Sequence, residues 1–260
     1  MVSLPPALVE REVKTDFLEK RLEINKSHAS ADFDSWLMER LAVQPGEDVL
    51  DVGCGTGAQT VPFSRSVLPN GSVSALDISP DSVALVRQRV DPDARVEAHA
   101  ADMAELGELI ANRFTVKRYD LAQSCYALYY SPARLNVLDT MRKALKPGGR
   151  CAVFTPNEPH GLVELAGRFT KIPEMVYDSL TFGPRVLKPY FDENFTSVEV
   201  HHFHNVISIP TSDMVIEFYR QTTYHDAAAE APMREVVDAA IEESGSFQYE
   251  KNGYLIIGRP

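Results

Sequence analysis

The chain has 260 residues, 44% of them hydrophobic, with 26 Lys and Arg against 37 Asp and Glu and a formal net charge of −11. That balance argues against a surface built to hold nucleic acid or anionic membranes. No apolar run is long enough for a transmembrane helix and no basic-then-apolar leader opens the chain. The three cysteines (Cys54, Cys125, Cys151) are odd in number and without close pairs, which points to a reducing cytoplasm rather than a disulfide or zinc framework.

In chain order, residues 7–41 are predicted to form two helices, with Phe17, Leu18 and Leu22 on one and Phe33, Trp36, Leu37 and Leu41 on the other at helical spacing. They either fold over a ligand or simply cover a sheet. The stretch VLDVGCGTGAQT, residues 49–60, is an apolar strand with Asp51 near its end, then a tight turn through Gly53, Gly55 and Gly57 into a helix. Glycines at alternate positions let the backbone bend sharply and approach a ligand closely, and the helix start offers free N–H groups there. Asp51 disfavours a pyrophosphate and suits a ligand with an ammonium group. The dinucleotide fingerprint Gly-x-Gly-x-x-Gly is not met, position 58 being Ala58 and position 59 Gln59. Three further strands follow at residues 72–79, 95–106 and 119–132, the first closing on Asp77, the second on Asp102 and the third on Ser124 and Cys125. An acid at the tip of the second strand, about 20 residues beyond a glycine turn, is where ribose hydroxyls are gripped. Asp77 and Asp102 each have a plainer reading as helix caps, but both lie at strand tips on one edge of a parallel sheet, where ligands of such sheets bind. LKPGGRCAVFTP, residues 145–156, is a helix end, a Pro-Gly-Gly turn and a fifth strand.

Asp51-x-Gly53-x-Gly55-x-Gly57, the two strand-tip acids and the Lys146-Pro147-Gly148-Gly149 turn together resemble the class I S-adenosylmethionine-dependent methyltransferases over residues 45–156. The resemblance implies an α/β fold: a Rossmann-like, seven-stranded, mostly parallel sheet with helices on both faces and an antiparallel last strand. It implies S-adenosyl-L-methionine as cofactor, held by Asp51, Gly53, Cys54, Gly55 and Gly57, by Asp77 on the ribose, by Ile78, Asp102 and Met103 around the adenine, and by Ser124. Cys54 is by default a packing residue of the turn. The Pro-Pro-aromatic signature of enzymes that methylate amino groups of adenine or glutamine is replaced here by Ser124-Cys125-Tyr126-Ala127. The resemblance is therefore to the small-molecule branch, with O-, N- or C-methylation open. Two other readings stand beside it: an enzyme of the same fold with non-methylating chemistry, and a non-catalytic relative that binds the cofactor.

The division expected is one domain over 1–260: an N-terminal helical cap (1–44), the cofactor-binding core (45–156), a lid insert (157–195) and the remainder of the sheet with its helices (196–260). The insert is rich in proline and aromatic residues, which break it into short helices and either line a pocket or anchor it on the core. Residues 197–210 are strand-like, two helices follow, and NGYLIIGRP supplies the last strand. His201, His202 and His204 have no accompanying carboxylate or cysteine at ligand spacing, so no metal is expected. The acceptor pocket is expected between the N-terminal helices around Phe17 and His28, the strand-four exit at Tyr126 and Tyr129, and the insert. His160 is the candidate general base there, because an ordinary imidazole titrates near neutrality. The partner is thus a small-molecule substrate, with no nucleic acid and no membrane.

Overall fold

The run Val49, Leu50, Asp51, Val52 is buried at every position, the mark of a strand covered on both faces rather than one alternating between core and water. It belongs to strand β1 (Asp48–Val52), the centre of a sheet described in a computed structural model that covers Glu23 and residues 26–260. The other strands are β2 (Ser72–Asp77), β3 (Arg95–Ala100), β4 (Tyr119–Cys125), β5 (Leu145–His160), β6 (Ser197–Phe203), β7 (Val206–Ile209) and β8 (Phe247–Arg259). Their order is β3-β2-β1-β4-β5-β8-β6, with β7 paired to β8 off this path. Strands β1 to β5 run parallel, and β8 is antiparallel to β5, β6 and β7.

The chain leaves β1 toward β2 and β3 on one side and continues with β4 and β5 on the other. The carboxyl ends of β1, β2 and β4 therefore open a crevice at the point where strand order reverses. Helices α1 (Phe33–Leu41) and α2 (Thr60–Ser66) cover one face with Leu37, Leu41, Phe63 and Val67. Helix α3 (Pro80–Arg89) starts on Pro80 after an N-cap Ser79 that accepts from the Ser82 N–H, and it buries Val83 and Val86 beside the glycine turn. On the opposite face α4 (Leu106–Asn112) and α5 (Arg134–Lys143) bury Leu106, Leu109, Val137, Leu138 and Met141. At the other end of the strands Arg150, 8% exposed, makes two 2.9 Å contacts to the Glu47 carboxylate and donates to the Leu41 carbonyl, tying the end of α1 to the sheet.

The segment after β5 departs from the sequence expectation. β5 does not stop at Pro156 but continues to His160, still paired with β8. The insert then folds as α6 (Gly161–Gly167), α7 (Glu174–Phe182), a π-helical turn (Gly183–Leu187) and α8 (Lys188–Asn194). Residues 197–210 form two strands rather than one, so the sheet has eight strands, seven of them on its main path. Strand β8 inserts between β5 and β6. Helices α9 (Ser212–Arg220) and α10 (Glu230–Ser244) join α6, α7 and β7 in a second core of Leu162, Val163, Leu180, Ile207, Val215, Tyr219 and Met233.

Candidate functional site

The glycine turn after β1 is held open by the backbone. The N–H groups of Gly53 and Cys54 both donate to the Leu76 carbonyl (2.8 and 3.0 Å), and φ is +78°, +50° and +92° at Gly53, Gly55 and Gly57. Those values lie in the left-handed region that side chains disfavour. Gly53 has a steric requirement as well, since a Cβ there would come 2.2 Å from the Ala127 Cβ.

Asp77, at the tip of β2, is fixed by this turn. Its carboxylate accepts from the Gly55 N–H (2.8 Å) and the Ser79 N–H (2.9 Å), one on each oxygen. The Ile78 N–H also bears on this carboxylate, which keeps remaining lone-pair capacity for a ligand. Burial pushes the carboxyl above the usual carboxylate range, and the N–H groups of Ser79 and Gly55 oppose that shift. Beside it Ile78 is 52% exposed, an apolar shelf at the mouth of the crevice. Asp102 caps the next turn by accepting from the Ala104 N–H (2.9 Å) and lines the same cavity with Met103, so its cap role and its place at the site coexist.

The cavity measures about 1010 Å³, at the upper end for small-molecule sites. Gly53, Cys54, Gly55, Asp77, Ile78, Asp102 and Met103 line it, as do Tyr126 and Tyr129. Three expected cofactor residues do not. Asp51 is 1% exposed and accepts hydrogen bonds from Thr60 Oγ1 and Gln123 Nε2 beneath the turn, so it braces the loop instead of facing a ligand. Burial raises its carboxyl to about 6. Gly57 is buried against Val86 and Val61. Ser124 is fully buried, and its neighbour Cys125 reaches the cavity in its place, because alternate residues of a strand point to opposite faces.

The second half of the cavity is aromatic. Phe33 packs against Phe154 (4.7 Å between centroids), Phe203 (5.3 Å) and Tyr126 (5.8 Å). Tyr126 has φ +55°, a strained value for a bulky residue, at the exit of β4. The segment 29–32 closes this side by pairing with β7: Ala29 bridges Ile207, the Ser30 N–H donates to the Val206 carbonyl (2.9 Å), and the Val206 N–H donates to Ser30 Oγ (2.9 Å).

Three expectations for the acceptor side are corrected. His160 lines a separate cavity of about 300 Å³ with Tyr177 and Leu180, and burial first, then the Lys251 charge, lowers its imidazole to about 3. It is a neutral, weakly basic group that lines that other cavity and not the large one. His28 does not line the large cavity, although Lys26 and Ala29 on either side of it do. No residue of the 157–195 insert lines it either: Leu162, Val163 and Leu180 of the insert join the second core, and Phe182, Leu187 and Phe191 join the first. Phe17 lies outside the described residues. Sequence reasoning missed Gln59, Phe203, Asn205 and Lys251, all on the cavity wall. Gln59 had a visible signal, a polar residue opening the helix after the glycine turn; Phe203 and Lys251 come from strands, and Asn205 from the link between β6 and β7, whose register with the crevice no local pattern reveals. Among the described residues no group of three or more His, Cys, Asp or Glu could hold a metal ion. No helix among them is long and apolar enough to cross a membrane.

A family model described as a methyltransferase domain matches residues 44–208. The chain belongs to the methyltransferase family. A demethylmenaquinone methyltransferase of Lysinibacillus sphaericus is 31% identical over 168 residues, which cover 64% of this chain and 67% of the relative. The chain spans between 37% and 60% of the length of three other curated relatives that it matches. Among solved structures, phosphoethanolamine N-methyltransferase 2 of Haemonchus contortus, in complex with S-adenosylhomocysteine, superposes with a TM-score of 0.52 at 16% identity, covering 87% of this chain and 52% of that one. A precorrin 8w decarboxylase of Methanobacterium thermoautotrophicum does so with a TM-score of 0.51 at 14% identity, covering 91% and 95%. These two likenesses concern the fold.

Proposed function

We propose that the protein is an S-adenosyl-L-methionine-dependent methyltransferase acting on a small-molecule acceptor in the cytoplasm. The observation that carries this reading is Asp77. A carboxylate held by backbone N–H groups at the tip of β2, with lone-pair capacity remaining and an exposed Ile78 beside it, suits a ribose diol next to an adenine. The glycine turn keeps its shape because a Cβ at Gly53 would meet Ala127 and one at Gly57 would crowd Val86 and Val61. Gln59, 8% exposed on the cavity wall, offers both a donor and an acceptor to the amino-acid end of the cofactor. When bound, the sulfonium supplies an already activated methyl group. The chain then has to position an acceptor atom in line with it and keep water out, and a base is needed only for an acceptor that keeps its proton.

The aromatic half of the cavity and the segment 29–32 supply the positioning and the exclusion of water. The relatives named as demethylmenaquinone methyltransferases support a small-molecule acceptor. The test is incubation with methyl-labelled cofactor and a metabolite extract. Label in a new small molecule is the expected result. Consumption of cofactor without labelled product indicates non-methylating chemistry, and no binding of cofactor by calorimetry ends the reading.

A further inference from the structure

Asn205 is the polar residue at the aromatic end of the cavity that the fold leaves half used. It follows β6, lines the cavity and is only 6% exposed. Its Oδ1 accepts from Ser30 Oγ and from the Ala31 N–H, each at 3.3 Å. The Ala31 N–H can only donate, which fixes the oxygen on that side and sends the NH2 the other way. The backbone of Asn205 is satisfied too: its N–H donates to Asn252 Oδ1 (3.2 Å) and its carbonyl accepts from the Lys251 N–H (2.9 Å). The side-chain NH2 alone has no hydrogen-bond partner among the described residues. An amide donor without a protein partner, on a residue that lines a cavity, can bond an occupant that brings an acceptor atom.

The surroundings limit that occupant. Phe33, Tyr126 and Phe203 offer ring faces and edges to a planar molecule. Of the charged groups at this end, Lys26 is paired with Asp34 (2.5 Å) and Asp32 accepts from the Ser35 N–H as the cap of α1. Lys251, whose N–H donates to the Asn205 carbonyl, lines the same wall, and its ammonium lies over the Phe218 ring at 5.8 Å. We infer that Asn205 anchors the methyl acceptor through its side-chain NH2, and that the acceptor is a planar ring compound bearing a carboxylate, phenolate or carbonyl oxygen. This rests on the methyltransferase reading above.

Asn205→Asp separates anchoring from a merely structural role. The variant keeps an oxygen for Ser30 and Ala31, so the 29–32 segment stays in place, but it replaces the donor with an oxyanion. The probes are 2-naphthoate and naphthalene, measured by equilibrium dialysis against the full chain with and without S-adenosylhomocysteine. The wild type should hold naphthoate more tightly than naphthalene. Asn205→Asp should weaken naphthoate by about tenfold or more and change naphthalene by less than about twofold. Equal naphthoate affinity in wild type and Asn205→Asp, or a wild type that binds naphthoate no better than naphthalene, overturns the anchor. If S-adenosylhomocysteine fails to bind the wild type in the same dialysis, the methyltransferase reading fails instead.

Discussion

The two halves of the large cavity are built in different ways. The half under the glycine turn comes from consecutive strand tips: Gly53 and Gly55 after β1, Asp77 and Ile78 after β2, Asp102 and Met103 after β3. Its polar contacts are backbone N–H groups and carboxylates whose positions follow from the parallel register. The aromatic half is assembled from Phe33, Tyr126, Phe203, Asn205 and Lys251, which lie far apart in the chain and meet only because β8 runs between β5 and β6. A ligand common to many enzymes can rely on the first kind of site. A ligand particular to one enzyme needs the second, where single side chains change without disturbing the sheet.

The comparison breaks most completely at Gly53. Gly53→Val places a branched side chain at φ +78° and against the Ala127 Cβ, at a cost of about 4 kcal/mol from strain and overpacking together. Thermal melts should show a large loss of stability, and calorimetry should detect no S-adenosylhomocysteine binding.

Asp51→Asn sharpens the role of the buried brace. The folded carboxyl titrates near 6, above its unfolded value of 3.8, so the folded state binds the proton more tightly. Stability from this group is present below about pH 4 and is lost as pH rises toward 6, a change of about 3 kcal/mol. Asn keeps an acceptor for Gln123 and a donor for Thr60 without the charge. The difference in unfolding free energy between wild type and variant should therefore move in favour of the variant between pH 4 and 6 and be flat above. A difference independent of pH would contradict the buried-carboxylate account.

That brace also marks the limit of what the sequence revealed. The order glycine turn, acid, acid was legible because a parallel sheet puts consecutive strand ends on one edge, and the structure brings Gly55 and Asp77 together as that order requires. Asp51 belonged to the same motif, but one residue of register decides whether a strand side chain faces the crevice or the layer beneath it, and Thr60 and Gln123 sit in that layer. The insert was recognisable as short helices with anchoring aromatics, and Phe182 and Phe191 do join the main core. Where it attaches depended on how far β5 runs, and the pairing of Asn157 and His160 with β8 carries it beyond the expected end. His160 carried the chemistry of a base in the sequence and loses it to burial in the fold.

Within the aromatic half, Tyr129→Ala removes a ring that packs tilted against Tyr130, 4.5 Å between centroids, in the cavity wall. Acceptor KM should rise about tenfold, while S-adenosylhomocysteine affinity stays within about twofold. A parallel loss of both affinities would erase the distinction between the halves. The smallest effect belongs to His160→Gln. With its imidazole in a different cavity, steady-state kinetics should give kcat and kcat/KM within about twofold of wild type. A loss of a hundredfold or more, with its pH dependence removed, would restore it as a base.

The cofactor half is tested most directly by titrating S-adenosylhomocysteine into the wild type and into Asp77→Ala in the calorimeter. The diol-binding role of Asp77 predicts saturable one-site binding by the wild type. It also predicts a loss of about 2 to 4 kcal/mol in the folded variant, roughly 30-fold or more in Kd. Unchanged affinity in a variant that melts like the wild type would contradict it.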